Sequence, residues 1–211
     1  MLDKTALAKI SVAARTQGED VWHRRLQRSA RHILAAIVFK ENSSEVASKT
    51  ESFLLLPIGL YYSVFHAGVA IAACDSEVAP TALNRVGHGA LERILTDSQM
   101  MRGRARRDFI NALRTLKTFR EYANYEFGYR DVDMPFRDDF PRLVSLADVA
   151  LVHAADVISK VSTVASAAIG LTDQVPTLIG DSFGDDLIRG YLTREQKERV
   201  VRRLLEFHLT T

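Results

Sequence analysis

The sequence predicts an all-α protein, and three observations support this fold class. Apolar residues recur at helical spacing in nearly every segment of the chain. No run of strand length alternates apolar and polar residues, and the breaks between helical segments coincide with glycine, proline or small polar residues. A chain of 211 residues with 47% hydrophobic content is long and apolar enough for one sizeable core.

The N-terminal half contains four predicted helices. They cover residues 2–15, 19–40, 45–55 and, from Pro57, about 57–75. Gly18 ends the first helix, and Asn42-Ser43-Ser44 predicts a loop before the third. In the second helix an apolar stripe that starts at Trp22 lies opposite an arginine stripe. The stripe consists of Arg24, Arg25, Arg28 and Arg31, which can contact phosphates or pair with acidic residues of a partner helix.

The C-terminal half contains four more predicted helices. They cover residues 81–95, 105–127, 143–169 and about 194–208, and the segments 96–103, 129–141 and 170–186 are predicted to be irregular. Few charges interrupt the alanine- and valine-rich helix 143–169, which is therefore either buried on most faces or packed against a second copy of itself. Thr193 and Gln196 have the spacing of a capping box at the start of the last helix.

Composition indicates a soluble, cytoplasmic protein. No window reaches about 18 uninterrupted apolar residues, and the first thirty residues lack the apolar core of a signal peptide. The single cysteine, Cys74, lies in an apolar helical run, where a buried thiol is more common than a reactive one. No metal-binding, phosphate-loop or serine-hydrolase motif is present, so we expect no metal and no cofactor.

Polar side chains inside apolar helices supply the candidate site residues. Tyr62, Phe65 and His66 share one helical face, which forms either a core seam or the wall of a pocket or dimer surface. Glycine on both sides of His88 costs about 1 kcal/mol of helix stability each. Close helix packing or a ligand that reaches the backbone would explain that cost. Arg85, three residues before His88, is placed to meet the same anion.

Two basic features follow along the chain. Arg120 and Asn124 lie one helical turn apart, where they form either a grip on phosphate or a base, or an ordinary polar pair. An isolated basic run precedes them, and it is either a solvated segment or a set of phosphate contacts. The run consists of Arg102, Arg104, Arg106 and Arg107.

Three segments together resemble the HEPN superfamily (higher eukaryotes and prokaryotes nucleotide-binding). They are Tyr61-Tyr62-Ser63-Val64-Phe65-His66-Ala67, the helix around Gly87-His88-Gly89, and Arg120-x-x-Ala123-Asn124-Tyr125. Compact bacterial members carry a Tyr-Tyr-x-x-Phe-His-Ala helix, a Thr-His-Ser-Gly-like segment and an Arg-x-x-Ala-Asp-Tyr helix in the same order. The resemblance spans residues 61–125.

The resemblance implies a HEPN-like up-and-down helical bundle, with a core of about residues 44–170 and helical extensions at 1–41 and 187–209, in a single domain over 1–211. It also implies a homodimer. In active HEPN ribonucleases four to six residues separate an arginine from a histidine, and the two groups act on the 2′-hydroxyl and the scissile phosphate without a metal. No histidine follows Arg120 at that distance. Outside the resembling segments the spacing occurs from Arg203 (or Arg202) to His208 and from Arg25 to His32.

The expected function is therefore RNA or nucleotide binding, by a catalytically degenerate protein, in a prokaryotic defence, phage-defence, toxin–antitoxin or stress system. The binding residues would be Arg85, His88, Arg120 and Asn124, with the basic run on phosphates. One alternative is a non-catalytic interaction subunit that binds a cognate antitoxin or complex partner through the 143–169 helix. A second alternative is an active metal-independent endoribonuclease with Arg203 and His208 as catalytic residues.

Overall fold

A computed structural model of the chain describes residues 2, 4–50, 55–126, 136–172, 174–184 and 192–209. Every regular element in these ranges is helical, which confirms the predicted fold class. The elements are α1 (Lys4–Gln17), α2 (Glu19–Thr50), α3 (Leu55–Cys74), α4 (His88–Asp97), α5 (Gly103–Glu121), α6 (Phe136–Ile169), α7 (Val175–Gly184) and α8 (Arg194–Glu206). A 3-10 turn, Pro80–Leu83, precedes α4, and a π-helical turn, Tyr122–Glu126, follows α5.

Helix α3 forms the centre of the bundle, and α2 packs antiparallel along it. Ser29 Oγ donates to the carbonyl of Ala70 at 3.0 Å, near one end of the pair. Near the other end, α2 passes Gly59, where an added Cβ would lie 2.6 Å from Ser43 Cβ. A glycine is therefore required at position 59 because the two helices approach closely there.

Helix α4 packs across α3 at a second glycine. An added Cβ at Gly68 would lie 2.9 Å from Leu95 Cδ1 and 3.2 Å from Leu91 Cδ2 of α4. Fully buried apolar side chains from α1, α2, α5, α6, α7 and α8 complete one continuous core around α3. The close contact at Gly68 holds α4 against the bundle and so sets the position of its first residue, His88.

Two predicted boundaries before residue 100 are wrong. The predicted loop at 42–44 lies inside α2, because the Ser43 hydroxyl donates to the carbonyl of Phe39 one turn earlier and the helix continues. The predicted helix 81–95 is split into a 3-10 turn and α4. Gly87 adopts an extended conformation (φ −85°, ψ 167°) as the N-cap residue, so α4 begins only at His88.

The C-terminal half also differs from two predictions. Helix α7 occupies part of the segment 170–186, where an irregular segment is predicted. The Ser162 hydroxyl accepts the N–H of Val175 at 3.0 Å, and the buried side chains of Val175 and Ile179 hold the helix on the core. Residues 129–135 of the predicted irregular stretch 129–141 lie outside the described residues. The helix α6 already includes Pro141, with Asp138 and Asp139 in its favourable acidic first turn.

Arg25 is not part of a solvent-facing stripe. It is 5% exposed, and its guanidinium donates to the carbonyls of Ala73, Asp75 and Val78 at 3.2, 3.0 and 2.9 Å. These contacts satisfy carbonyl groups at and beyond the C-terminal end of α3. Burial lowers the pKa of Arg25 below its ordinary value. This side chain therefore has a structural role. Among the described residues no hydrogen bond joins Arg25 to His32, although their spacing in the sequence matches the ribonuclease pattern.

Helix α3 is long and apolar enough, by length and composition, to cross a membrane, but 67% of its apolar stretch is buried inside the bundle. Core helices of soluble proteins meet the same criterion, and the burial of α3 is of that kind. Cys74, its last residue, is completely buried, as predicted from its apolar surroundings. Burial raises the pKa of the Cys74 thiol to about 11, so this cysteine is an inert core residue.

Candidate functional site

Helices α4 and α5 run antiparallel, and two contacts show their register. Arg114 Nη2 donates to Glu92 Oε1 at 2.6 Å, and Arg120 Nη1 lies 3.2 Å from His88 Nε2. The later position on α5 thus meets the earlier position on α4. As a result, His88 at the start of α4 faces the end of α5, where the π-helical turn begins.

The backbone around His88 is open. An added Cβ at Gly87 or at Gly89 would meet nothing within 4 Å, so close helix packing does not explain these two glycines. Gly87 is the N-cap residue and lies outside the helix interior, and therefore it carries no interior-glycine cost. The space around this helix start leaves the approach to the backbone next to His88 unobstructed.

His88 joins a compact cluster of aromatic and basic side chains. Its Nδ1 forms a hydrogen bond with the Tyr61 hydroxyl, and its ring packs edge-on against Phe65 at a centroid distance of 5.0 Å. The Arg120 guanidinium carbon lies 4.8 Å from the centre of the Tyr61 ring, in cation–π geometry. Residues from α3, α4 and α5 thus meet at one end of the bundle, and we call Tyr61, Phe65, His88 and Arg120 the His88 cluster.

The hydrogen bonds assign the protonation of His88. Arg120 can only donate, so His88 Nε2 must accept and must carry its lone pair. The proton of the neutral ring then lies on Nδ1 and is donated to the Tyr61 oxygen. The hydroxyl hydrogen of Tyr61 is consequently left free to donate to another group.

Arg120 is a buried cation without a close carboxylate. The residue is 7% exposed, and among the described residues its Nε has no hydrogen-bond partner. The nearest carboxylate oxygen in this part of the chain, on Glu121, lies 3.8 Å away on a side chain that is 46% exposed. Buried charges are normally paired or held by several hydrogen bonds. A guanidinium whose nearest partner is a neutral imidazole therefore has unused capacity for an anion.

The titration of the cluster is consistent with this assignment. Burial, and after it the positive charge of Arg120, lowers the pKa of His88 below its ordinary value. Burial raises the pKa of the Tyr61 hydroxyl, which stays protonated at neutral pH. Near pH 7 the cluster therefore consists of a neutral histidine, a neutral tyrosine and one charged arginine.

A pair of histidines lies beside the His88 cluster. His32 Nδ1 and His66 Nδ1 are 2.9 Å apart, and the Phe39 ring stacks on His66 at 5.4 Å. Phe65 touches the rings of both His66 and His88, so the two groups are continuous. The sequence indicated His66 through its aromatic face, but gave no sign that His32, on the preceding helix, is its partner.

The remaining RNA-binding candidates are not all brought together. Arg85 is exposed in the turn before His88, and Asn124 is exposed in the π-helical turn. In the part of the chain that the structure describes, no hydrogen bond joins Asn124 to Arg120, which is buried. The side chain of Tyr125, in the third segment of the resemblance, lies outside the described residues.

The basic run Arg102–Arg107 lies at the opposite end of α5. Arg106 donates to the carbonyl of Thr96 at 2.7 Å, and Arg104 Nε lies 3.4 Å from Asp108 Oδ2. Because a helix rises 1.5 Å per residue, these arginines are about 20 Å from Arg120 along α5. The run and the His88 cluster thus form two separate basic features on one helix.

Arg203 and His208 are in a different environment. Arg203 Nη2 lies 2.6 Å from Asp148 Oδ1, and Arg203 Nη1 lies 2.6 Å from Glu206 Oε2. His208 is exposed just beyond α8, with φ at 53°. Within the described ranges no hydrogen bond joins the two residues, and no group of three or more histidine, cysteine or acidic side chains is arranged to hold a metal ion.

Comparisons of the chain with protein-family models, with curated proteins and with solved structures find no significant match. The interpretation of the site therefore depends on its geometry and chemistry.

Proposed function

We propose that this chain is a HEPN-like helical protein that binds RNA or a nucleotide through the His88 cluster. The observation that carries the proposal is the buried guanidinium of Arg120, which, among the residues that the structure describes, has a neutral imidazole as its nearest partner and no partner at Nε. A phosphate oxygen is the ligand that such a group accepts best. The free hydroxyl hydrogen of Tyr61 would supply a second donor to the same phosphate.

The contacts between the three resembling segments support the family assignment. Tyr61 belongs to the first segment, His88 to the second and Arg120 to the third, and the three side chains touch one another. A resemblance that arose by chance would not require these segments to meet. The same proposal includes the system in which such a protein acts, whether defence, toxin–antitoxin or stress response. It also includes assembly as a homodimer.

The test compares Arg120→Met with Arg114→Met, a matched control on the same helix whose arginine is exposed and pairs with Glu92. We expect Arg120→Met to weaken binding of a fluorescent single-stranded RNA or a nucleotide by tenfold or more, because a charge-assisted hydrogen bond contributes about 1.5–3 kcal/mol. Arg114→Met should change the dissociation constant by no more than about twofold. Equal losses in both variants would show that the chain only responds to net charge.

The stability of the same variants separates binding from structure. Burial of the Arg120 charge costs desolvation free energy, which the exposed Glu121 carboxylate 3.8 Å away offsets only in part, so Arg120→Met should change the free energy of unfolding in urea by less than about 1 kcal/mol. A loss of several kcal/mol would mean that Arg120 is a structural residue, and the proposed binding role would have to be abandoned.

An active ribonuclease is favoured by one observation, the contact of a histidine with Arg120 even though the motif spacing is absent. Purified protein incubated with total RNA and EDTA should then produce fragments with 2′,3′-cyclic phosphate ends. Cleavage that His88→Ala abolishes would assign catalysis to the His88 cluster. Cleavage that only His208→Ala or Arg203→Met abolishes would assign it to the C-terminal pair.

A non-catalytic interaction subunit is favoured by the surface of α6. Val149 and Val152 are 39% and 51% exposed, and they border an apolar groove with Phe140 and Val144. If this groove contacts a second copy or a cognate partner, Val152→Asp should dissociate the complex measured by light scattering. Ala167→Asp, an exposed position on the same helix, should leave it intact. A chain that is monomeric and purifies alone would remove this alternative.

A further inference from the structure

A cleft lined by arginines lies where α2 faces the segment that follows α3. It has a volume of about 490 Å³ and is bounded by the first half of α2 and by the 3-10 turn Pro80–Leu83. Its walls combine apolar and basic side chains and contain no aspartate or glutamate. A cleft of this size is in the range that accommodates a small ligand.

One arginine of the cleft is held in place by the protein itself. Arg28 Nη1 donates to the carbonyl of Pro80, and Arg28 Nη2 donates to Asn84 Oδ1, both at 2.7 Å. The two contacts join α2 to the turn and fix the guanidinium at the cleft. A ligand that binds Arg28 would therefore not have to immobilise this side chain.

Two further arginines flank Arg28 on the same helical face. Arg24, Arg28 and Arg31 follow at intervals of four and three residues, so they form one stripe about 10 Å long. Arg24 and Arg31 are exposed, and among the described residues neither has a hydrogen bond or an ion pair. Three cations thus surround a concave surface that offers them no carboxylate.

Two other interpretations of these arginines are a solvent-facing stripe and a docking face for an acidic helix. A flat helix surface would suit either of them, but the arginines here border a cleft closed on its far side by Pro80, Thr81 and Leu83. An extended acidic helix would contact only the rim of such a cleft. The position of Arg28, fixed at the inner wall, favours a ligand that enters.

We propose that this cleft binds a small ligand with two adjacent phosphate groups, such as the polyphosphate of a nucleotide. Arg24, Arg28 and Arg31 would bind the phosphate oxygens by charge-assisted hydrogen bonds, and the apolar wall at Leu83 would contact the rest of the ligand. The site shares no residue with the His88 cluster. It is therefore independent of the function proposed for that cluster.

The test uses calorimetric titration of the full chain with pyrophosphate and with ATP at low salt. We expect both to bind, and Arg24→Ala/Arg31→Ala to weaken binding at least tenfold, since each charge-assisted contact alone is worth about that factor. The control Arg194→Ala/Arg202→Ala removes two exposed arginines from α8 and should change the affinity by no more than about twofold. Arg28→Lys keeps the charge but not the forked geometry, and should also weaken binding.

Several outcomes would overturn the proposal. They are the absence of pyrophosphate and ATP binding, equal losses in the cleft variant and in the α8 control, and binding of single-stranded RNA at the cleft that pyrophosphate cannot displace. Titration of Arg120→Met separates the two sites, because a binding event that this variant loses belongs to the His88 cluster, and one that only Arg24→Ala/Arg31→Ala weakens belongs to the cleft. If Arg120→Met abolishes pyrophosphate binding and Arg24→Ala/Arg31→Ala does not, phosphate binds at the His88 cluster alone.

Discussion

At the residue scale, Gly59 is the position where one added methyl group has the clearest consequence. Its Cβ would collide with the Ser43 side chain and would lie 3.3 Å from the carbonyl oxygen of Phe39. We expect Gly59→Ala to lower the free energy of unfolding by about 1–3 kcal/mol, because α2 and α3 must separate. Urea denaturation followed by circular dichroism measures this change.

A matched substitution should have the opposite sign. Gly180 lies in α7, is exposed and has nothing within 4 Å of an added Cβ. Gly180→Ala should therefore raise the free energy of unfolding by about 0.5–1 kcal/mol, through helix propensity and a less flexible unfolded chain. The same destabilisation in both variants would contradict the close approach at Gly59.

The histidine pair predicts a dependence of stability on pH. Burial, and after it the neighbouring His66 and Arg28, lowers the pKa of His32 from its ordinary value of 6.5 to about 4. As the pH falls below 6.5, the unfolded chain takes up a proton that folded His32 does not, so stability is lost between about pH 6.5 and 4. The loss should reach at most about 3 kcal/mol.

Denaturation at a series of pH values tests this expectation. His32→Gln removes the titrating group, so the variant should lose less stability between pH 7 and 4.5 than the wild type. His208→Asn serves as the control, because His208 is exposed and asparagine tolerates its left-handed backbone. An unchanged pH dependence in His32→Gln would assign the effect to other groups.

At the element scale, the last helix depends on its N-terminal cap. Thr193 accepts the N–H of Gln196, and the Gln196 side chain accepts the N–H of Thr193, which confirms the predicted capping box. Thr193→Ala should destabilise α8 by about 1 kcal/mol, whereas Thr193→Ser should retain most of the stability. Hydrogen exchange of the α8 amides measures the change, and equal protection in both variants would exclude a role for the cap.

Individual helices differ in how well the sequence predicts them. Apolar spacing located α3, α5 and most of α6, since these helices bury broad faces. The break predicted at Asn42-Ser43-Ser44 was wrong because the Ser43 hydroxyl finds a carbonyl within the helix and Gly59 receives the helix face. Such compensation comes from tertiary packing, which local residue preference does not contain.

At the scale of the whole molecule, Arg203 connects three helices. It contacts Asp148 of α6 at 2.6 Å and Glu41 of α2 at 3.5 Å, and Lys40 of α2 contacts the same Asp148 oxygen at 3.2 Å. Arg203→Met should lower the free energy of unfolding by about 1–2 kcal/mol, because it leaves partly buried carboxylates less well paired. His208→Ala should leave the free energy of unfolding unchanged. RNA cleavage that depends on both Arg203 and His208 would instead support the prediction that these residues are catalytic.

The candidate site could be predicted only in part, because it depends on how whole helices pack against one another. His88 and Arg120 stood out in the sequence as candidate site residues, Tyr61 appeared only in the first resembling segment, and the structure brings the three together. Their contact depends on the register of α4 against α5 and on the start of α4 at His88. The spacing of residues in the sequence does not show which side chain a histidine contacts. It also does not show that the basic run Arg102–Arg107 lies far from the His88 cluster.

The hydrogen bond from Arg120 to His88 also links occupancy to reactivity. While the guanidinium donates to Nε2, the lone pair there cannot take a proton from a hydroxyl group. An anion that drew Arg120 away would expose the lone pair at the moment of its own arrival. If the His88 cluster is catalytic, as in the ribonuclease alternative, the empty site would therefore keep its proton acceptor occupied, and a bound anion would free that acceptor without any moving lid.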